Sequence, residues 1–454
     1  MLFNEKVLCG IGRGLGATGK LDREGMSLAV TNLRRFVALA RAIPVVRLDV
    51  VATAAVRDAT DGQEFVRTVE RAFRIRVNIL SGPEEGRLSA FGVIAGIPEA
   101  AGIVGDLGGG SVELVPIAGG QAGAAATLPI GPLRLADSAE DDRRLRETID
   151  RHLDSVPWIG HHDGAFHAVG GAWRALARIH MEQSKYPLHV IQQYSLPRAA
   201  AEDFLDLIAR QSRKSLERMS SISRKRLEWV PLAARVLQRL LRRSQPGRLV
   251  FSAFGLREGH LYSLLDEKEQ RSDPLLAGAT TMAQAHRRFG ADGEELFAWT
   301  GAIFPGEEPR LRRLRRAAAL LSDVAWAEHP DYRADQAMRT ALFIPLGGID
   351  HAERAFLAAT LYARYGGQEP GEVVRKMLDD ETLASARCVG LALRLANTLS
   401  GGVPGLLGGT RLMLEDGTLA LSLRRESGDR LGESVQRRLD ALGRALGHRT
   451  EIRR

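Results

Sequence analysis

Apolar positions in the first part of the chain switch between a helical period and short continuous runs. From Ser27 to Ala42, Leu28, Leu33, Phe36 and Leu39 recur at helical spacing, and the β-branched run Val45 to Ala52 that follows predicts a buried strand. Glu64 to Phe73 predicts a further helix, Ile75 to Leu80 a strand and Pro83 to Gly96 a helix. Ile103 and Val104 then lead into Gly105-Asp106-Leu107-Gly108-Gly109-Gly110-Ser111-Val112-Glu113-Leu114-Val115, a strand, a tight glycine turn and a second strand. Alternation of this kind argues for an α/β sheet.

The theme repeats further on. Phe166 to Val169 predicts a strand entering Gly170-Gly171, with a helix from Ala172 to His180. Ala200 to Leu241 is helical in pattern with a break near Ser220-Ser221, and Leu249 to Ser252 predicts a strand leading to a helical stretch that ends near Asp266. From Ser272 onward the pattern is mostly helical, except for a hairpin expected from Leu412 to Leu414 and Leu419 to Leu423 around Glu415-Asp416-Gly417.

With 454 residues the chain exceeds one hydrophobic core, so two to four domains are expected. No apolar run approaches the roughly 18 residues of a membrane helix, and Met1 to Lys6 lacks the pattern of a signal peptide. Cys9 and Cys388 are the two cysteines, which fits a reducing cytoplasm and makes neither a disulfide framework nor a metal motif. A net charge of +8 favours anionic partners. At 6% aromatic residues, with no interleaving of aromatic and basic positions, nucleic acid is not the expected partner. Basic clusters at Arg224-Lys225-Arg226, Arg242-Arg243 and Arg310 to Arg316 read as solvated helix faces before they read as ligand tracks.

The glycine turn carries the chemistry. Glycine tolerates φ > 0, so backbone N–H groups can converge there on an anion. Asp106 and Glu113 flank it, and a phosphate cradle beside carboxylates suits a Mg²⁺–phosphate substrate; an ordinary hairpin explains the same residues. Glu84 and Glu85 open the helix after Ser81-Gly82-Pro83, either as acids complementing the helix dipole or with one as a general base. Arg57 follows a predicted strand and could hold phosphate bidentately or simply pair with Asp58. Gly12 to Ala17 reads as a loop rather than a dinucleotide fingerprint, because no strand ending in an acid follows it. His161-His162-Asp163 and Asp350-His351 lack metal-ligand spacing and read as surface or capping residues.

Taken together, Ser81 to Leu88, Gly105 to Glu113, Val169 to Arg174 and Ser252 to Gly259 resemble, in order and spacing, the exopolyphosphatase / guanosine pentaphosphate phosphatase family. The resemblance implies an α/β protein with two actin-like (ribonuclease H-like) lobes, 1–117 and 118–271, followed by a mostly helical domain, 272–454, resembling a degenerate HD phosphohydrolase domain. It implies hydrolysis of terminal orthophosphate from linear polyphosphate, and also of pppGpp to ppGpp, in a cytoplasmic homodimer. A pppGpp-selective enzyme and a non-catalytic polyphosphate- or alarmone-binding regulator are the alternatives.

By the same resemblance, Glu85 is the catalytic base that activates water. Asp106 and Glu113 are the acids at Mg²⁺. Arg57, Gly108, Gly109, Gly110 and Ser111 bind phosphate, and Gly171, Arg174, Ser252 and Arg257 carry the motifs of the second lobe, with Ala172 where threonine is usual. Two departures accompany it. The chain opens after the position of the family's first strand and Asp-x-Gly-Ser-Asn-Ser loop, so weak Mg²⁺ binding and low turnover are expected. In the last domain Leu321-Ser322-Asp323-Val324 replaces Leu-His-Asp-Ile, and Tyr332-Arg333-Ala334-Asp335 replaces Tyr-His-x-His, so no metal is expected there.

Overall fold

The structure, a computed structural model, describes residues 3–136, 141–160, 164–219, 227–286, 288–289, 293–424 and 429–453. The basic run 224–226, the His161-His162-Asp163 cluster and the helix break expected at 220–221 lie outside the described residues. The chain divides into two compact units. Unit 1 comprises 1–185 and 191–266, and unit 2 comprises 186–190 and 267–454.

Unit 1 starts with helix α1 (Arg23–Ala42), strand β1 (Val50–Ala52), helix α2 (Gly62–Phe73) and strand β2 (Val77–Ile79). β1 and β2 form a two-stranded parallel sheet with Val50 opposite Val77. Val37, Val69 and Phe73 pack beneath it with Val30 and Leu33, so α1 turns that face inward and leaves Leu28 exposed. The buried strand expected from Val45 to Ala52 is shortened to its last three residues. Among the described residues β1 has β2 as its neighbour in the sheet, so the preceding apolar residues find no pairing, and Val45, Val46 and Leu48 stand exposed.

Helix α3 (Gly82–Gly96) leads to a seven-stranded mixed sheet. Its strands are β3 (Gly102–Leu107), β4 (Val112–Ala118), β5 (Gln121–Ala122), β6 (Ala126–Leu128), β7 (Ala165–Val169), β8 (Tyr194–Pro197) and β9 (Arg248–Phe251). Their order is β5-β4-β3-β7-β9-β8, with β6 also on β4. β3, β7 and β9 run parallel, and β4 returns antiparallel to β3. The glycine hairpin therefore belongs to the same sheet as the strands after residue 118. A lobe boundary at 117/118, as expected from the sequence, would cut through β4 and divide that sheet.

Helix α4 (Gly171–Gln183), helix α5 (Val230–Ser244) and helix α6 (Leu256–Ser263) complete the elements that matter here. Trp173 on α4 is fully buried, meets Phe166 edge-on at 5.9 Å, and donates from Nε1 to the Ala233 carbonyl on α5 at 3.0 Å. The helix α3 is capped by Ser81, whose hydroxyl accepts from the Glu84 N–H while Glu84 accepts from the Ser81 N–H. α6 lies directly on α3 because two glycines bring the backbones together. A β-carbon at Gly259 would fall 1.7 Å from the Leu88 carbonyl oxygen, and one at Gly92 2.2 Å from that of Gly255.

Unit 2 is mostly helical around one core that includes Leu314, Phe356, Leu357, Leu393 and Leu439. Its longer helices include α7 (Pro309–Leu320), α8 (His351–Arg364), α9 (Asp380–Ser400) and α10 (Glu433–Leu446). The expected hairpin forms as β10 (Thr410–Glu415) and β11 (Thr418–Leu423). A third strand, β12 (Arg449–Arg453), pairs parallel with β11 and was not foreseen. Among the described residues no helix is long and apolar enough to cross a membrane.

The Arg310 to Arg316 run is not a free cationic face. Arg310 pairs with Asp350 and Glu353, Arg313 with Asp273, Arg315 with Glu307 and Arg316 with Glu294. Arg242 and Arg243 lie 3.9 and 3.0 Å from Glu202 and Asp154.

Gly259→Val must push α6 off α3, and overpacking of this kind costs about 1–3 kcal/mol. A urea denaturation midpoint should fall accordingly, while Gly160→Ala, with nothing within 4 Å of its added carbon, changes little. Equal midpoints for the two variants would show that α6 does not depend on this contact.

Candidate active site

Four elements bring the expected residues together. The β3–β4 hairpin pairs Asp106 directly with Glu113, so both carboxylates stand on one face of the sheet. α3 brings Glu85 against them, because Gly86 allows close approach: a β-carbon there would sit 3.2 Å from Glu113 Cβ and 3.1 Å from Val115 Cγ2. The short helix Ala54–Asp58 after β1 supplies Arg57, whose Nη1 donates to Glu85 Oε2 at 3.1 Å and to the Leu80 carbonyl at 2.8 Å. Its Nε reaches Asp58 Oδ1 at 3.3 Å, so the pairing with Asp58 that the sequence offered forms, alongside one with Glu85.

The three acids are buried or half-buried and disturb one another. Glu85 is 8% and Glu113 1% exposed. Burial raises the Glu85 carboxyl above its ordinary range; Arg57 opposes this and the charge on Asp106 adds to it. Burial also raises Asp106, opposed by the Ser89 hydroxyl and the charge on Arg174. Glu113 is pushed up to about 8 by burial and then by Glu85, against the donated Ser111 hydroxyl at 2.6 Å. Its Oε2 is buried and has no hydrogen-bond partner.

An orphaned carboxylate oxygen among repelling acids fits a cation. Among the described residues no three His, Cys, Asp or Glu side chains converge as a metal cluster on their own. Mg²⁺ commonly takes only one or two carboxylates, with phosphate oxygens and waters for the rest, so Asp106 and Glu113 suit an ion that arrives with its phosphate ligand.

The glycine turn is built differently from the expectation. Gly108, Gly109 and Gly110 all avoid positive φ. The Gly108 N–H donates to the Ser111 carbonyl at 3.0 Å and closes the turn. Handedness does not require glycine in the turn, and the close backbone approach falls at Gly131. The segment after β6 lies on the turn, with the Gly131 N–H on the Gly110 carbonyl and the Leu133 N–H on that of Gly109, and a β-carbon at Gly131 would fall 2.5 Å from the Ser111 nitrogen. The left-handed geometry sits instead at Gly170 (φ 115), where the N-terminus of α4 meets the Leu107 carbonyl at the end of β3.

Of the second-lobe residues, Gly171 opens α4 and is exposed. Arg174 is half-buried, and its Nε donates to the Ser252 carbonyl at 3.1 Å. Ser252 is fully buried, and its hydroxyl donates to the Phe254 carbonyl at 2.8 Å, so it shapes a turn and does not face the acids as a binding group. Arg257 is exposed, with Nη1 on Asn4 Oδ1 at 2.8 Å.

Sequence reasoning missed two residues. Ser89, one turn after Glu85, hydrogen-bonds Asp106. Arg134 pairs with Asp58, and its Nε lies 3.5 Å from where a Gly110 β-carbon would be. The i, i+4 spacing from Glu85 could have flagged Ser89, and the helix start Gly131-Pro132 could have flagged Arg134.

In unit 2, at the sequence position compared with a metal site, Arg364 donates to Ser322 Oγ at 2.8 Å and to Asp323 Oδ1 at 3.1 Å, with Arg288 3.7 Å from Asp323 Oδ2. Guanidinium charge meets this carboxylate.

Residues 1–268 match the family described as the Ppx/GppA phosphatase family, and residues 275–452 match the one described as exopolyphosphatase, C-terminal. Retrograde regulation protein 2 of Saccharomyces cerevisiae is 26% identical over 361 residues, which are 72% of this chain and 60% of that protein. The chain thus spans about 60% of the length of this curated relative. An exopolyphosphatase from Cytophaga hutchinsonii superposes with a TM-score of 0.53 at 22% identity, over 58% of this chain and 89% of its own. The Ppx/GppA family member of Aquifex aeolicus does so with a TM-score of 0.50 at 24% identity, over 58% and 88%. At these identities the likeness is one of fold, the actin-like α/β type with a helical region after it.

A carboxyl raised in the folded state holds its proton there longer than in the unfolded chain. Between the ordinary 4.5 and about 8, Glu113 therefore costs stability as pH rises, and the full cost is present above about 8. Glu113→Gln should remove this contribution, so its urea midpoint exceeds the parent's at pH 8.5 and converges with it near pH 5. Parallel profiles for the two proteins would show that Glu113 is not held protonated.

Proposed function

The chain belongs to the Ppx/GppA phosphatase family, and on that premise we propose that it is a phosphoanhydride hydrolase that removes terminal orthophosphate from linear inorganic polyphosphate, and also converts pppGpp to ppGpp. The observation that carries the reading is the juxtaposition of buried Glu85, held by Arg57, with Asp106 and Glu113 at the mouth of the glycine hairpin.

In this reading Asp106 and Glu113 hold Mg²⁺, and when bound the ion neutralises charge on the phosphoryl oxygens. Glu85 accepts a proton from the attacking water. Burial brings its carboxyl closer to neutrality, where a general base works best. The water oxygen bonds to the terminal phosphorus, the bridging P–O bond breaks, and the shortened chain leaves with the bonding pair. Arg57 keeps Glu85 Oε2 oriented through the bond at 3.1 Å and offers its remaining donors to the phosphate. Arg134, which shares Asp58 with Arg57 and lies beside Gly110, adds a further guanidinium, and preorganised donors of this kind stabilise charge that develops in the transition state.

A second reading, a regulator that binds polyphosphate or an alarmone without turning it over, is favoured by the similarity to a protein named for retrograde regulation. Single-turnover release of orthophosphate from long-chain polyphosphate with Mg²⁺ separates the two. The hydrolase reading expects release by the parent chain, and Glu85→Gln to slow it by about 10²–10⁴ with substrate affinity kept. Tight binding without release by the parent chain would establish the regulator, and release by Glu85→Gln within a few-fold of the parent would remove Glu85 as the base.

A further inference from the structure

One carboxylate in unit 1 is shared by two guanidiniums. Asp58 Oδ1 accepts from Arg57 Nε at 3.3 Å, and Asp58 Oδ2 accepts from Arg134 Nη2. Arg57 is the preceding residue, and Arg134 is 76 residues away. Consecutive residues of a helix do not face each other. Asp58, however, ends the short helix Ala54–Asp58, and the chain is extended at Ala59 (φ −78, ψ 138). Arg134 lies on the helical turn Pro132–Leu135. That segment is held on the glycine turn by the Gly131 N–H on the Gly110 carbonyl at 3.2 Å and the Leu133 N–H on the Gly109 carbonyl at 2.9 Å. Asp58 therefore joins the arginine that holds Glu85 to the arginine beside the glycine turn.

These bonds leave definite edges of both guanidiniums uncommitted. Arg57 commits Nε to Asp58, and Nη1 to the Leu80 carbonyl and to Glu85. Arg134 commits Nη2 to Asp58. Among the described residues, Arg57 Nη2 and Arg134 Nε and Nη1 have no acceptor. Arg134 Nε lies 3.5 Å from where a Gly110 β-carbon would be. A terminal phosphoryl group presents three oxygens, enough to engage the free edges of two guanidiniums at once. Two such cations repel each other, and long side chains hold no fixed direction by themselves. A shared acid reduces the repulsion and fixes one edge of each. The side chains of Arg57, Asp58 and Arg134 are 21%, 30% and 37% exposed, so their ion pairs are screened and add little to stability. What they determine is orientation.

We propose that Asp58 is a positioning residue of the reaction: by gripping Arg57 and Arg134 together it presents the free edges of both guanidiniums to the terminal phosphoryl group and keeps Arg57 on Glu85. This role rests on the hydrolytic reading of unit 1. Asp58 itself makes no contact with the substrate. Its negative charge opposes ground-state binding of a polyanion, so its removal does not weaken affinity. Asp58→Asn keeps the shape of the side chain but turns an NH2 group, a donor, towards one of the guanidiniums, which are donors only. The pair then separates, and the loss falls on kcat.

The test is steady-state release of orthophosphate from sodium tripolyphosphate with Mg²⁺ by the full chain. D58N should lower kcat by about tenfold or more, since a misplacement of about 1 Å near a reacting centre can cost 10²-fold. KM should stay within about threefold of the parent's or fall below it, the split expected of a group that acts in the transition state alone. The urea midpoint should not move, because these ion pairs are screened. D58E, which returns a carboxylate to the two guanidiniums, should recover part of kcat. In an R134M background D58N should cost less than it does alone, whereas effects without a shared partner would multiply. A kcat within about twofold of the parent's, a KM that rises as far as kcat falls, or full multiplication with R134M overturns the proposal. A urea midpoint that falls together with kcat, with neither recovered in D58E, assigns a structural role and overturns it as well. If D58N does not fold, D58S replaces it with the same split and the same coupling expected. A parent chain that releases no orthophosphate in a single turnover removes the hydrolytic reading and the role of Asp58 with it. Release by the parent with kcat unchanged in D58N removes the role of Asp58 alone.

Discussion

Burial of three neighbouring carboxyls, Glu85, Asp106 and Glu113, is the constraint around which the site of unit 1 is arranged. Loss of solvent raises all three above their ordinary range, and repulsion from a neighbouring acid adds to it at Glu85 and at Glu113, which reaches about 8. A fold holds such a set together only if backbone packing leaves the side chains nowhere else to go. The β3–β4 register sets Asp106 opposite Glu113, the bare face of Gly86 lets α3 settle against β4, and Gly92 and Gly259 let α6 press on α3 from above. Arg57 and the hydroxyls of Ser89 and Ser111 offset part of the cost.

How much of this was legible follows from what each signal depends on. The hairpin and α3 were readable because their signals are local: apolar runs broken by glycines, and a serine cap followed by proline and acids. Strand length at Val45 to Ala52 was not readable, because β propensity says nothing about how many neighbours a strand will find, and β1 pairs for only three residues. The turn was located correctly, but the glycine that a close approach demands is Gly131, where the following segment lies on the turn, a tertiary contact that no local rule contains. Ser252 matched a motif and yet turns its hydroxyl into its own loop, while Ser89 and Arg134 fell outside the motifs and reach the site residues.

Arginine partners show the same limit more sharply. A net charge of +8 directs attention to the densest cationic run, Arg310 to Arg316. Four of its five arginines are neutralised, because Asp273, Glu294, Glu307, Asp350 and Glu353 come back to it from other elements. Arg394, Arg438 and Arg444, which have no ion pair among the described residues, are dispersed in sequence and come together only when α9 and α10 pack. Density along the chain and density in space are different quantities, and a ligand responds to the second.

Acids crowded in unit 1 and guanidiniums crowded in unit 2 have opposite signs and the same thermodynamic consequence. Each cluster holds like charges closer than the empty protein would favour, so each stores a destabilisation that a complementary ligand removes. A ligand bound only by the folded form stabilises it by about 2.7 kcal/mol at a hundredfold excess over its dissociation constant. The relief of repulsion is part of that binding energy, because the side chains are already in place and little ordering remains to oppose association. Within unit 1 the chain offsets part of this cost itself, through Arg57 at Glu85 and the hydroxyls of Ser89 and Ser111, and leaves Glu113 Oε2 without a partner.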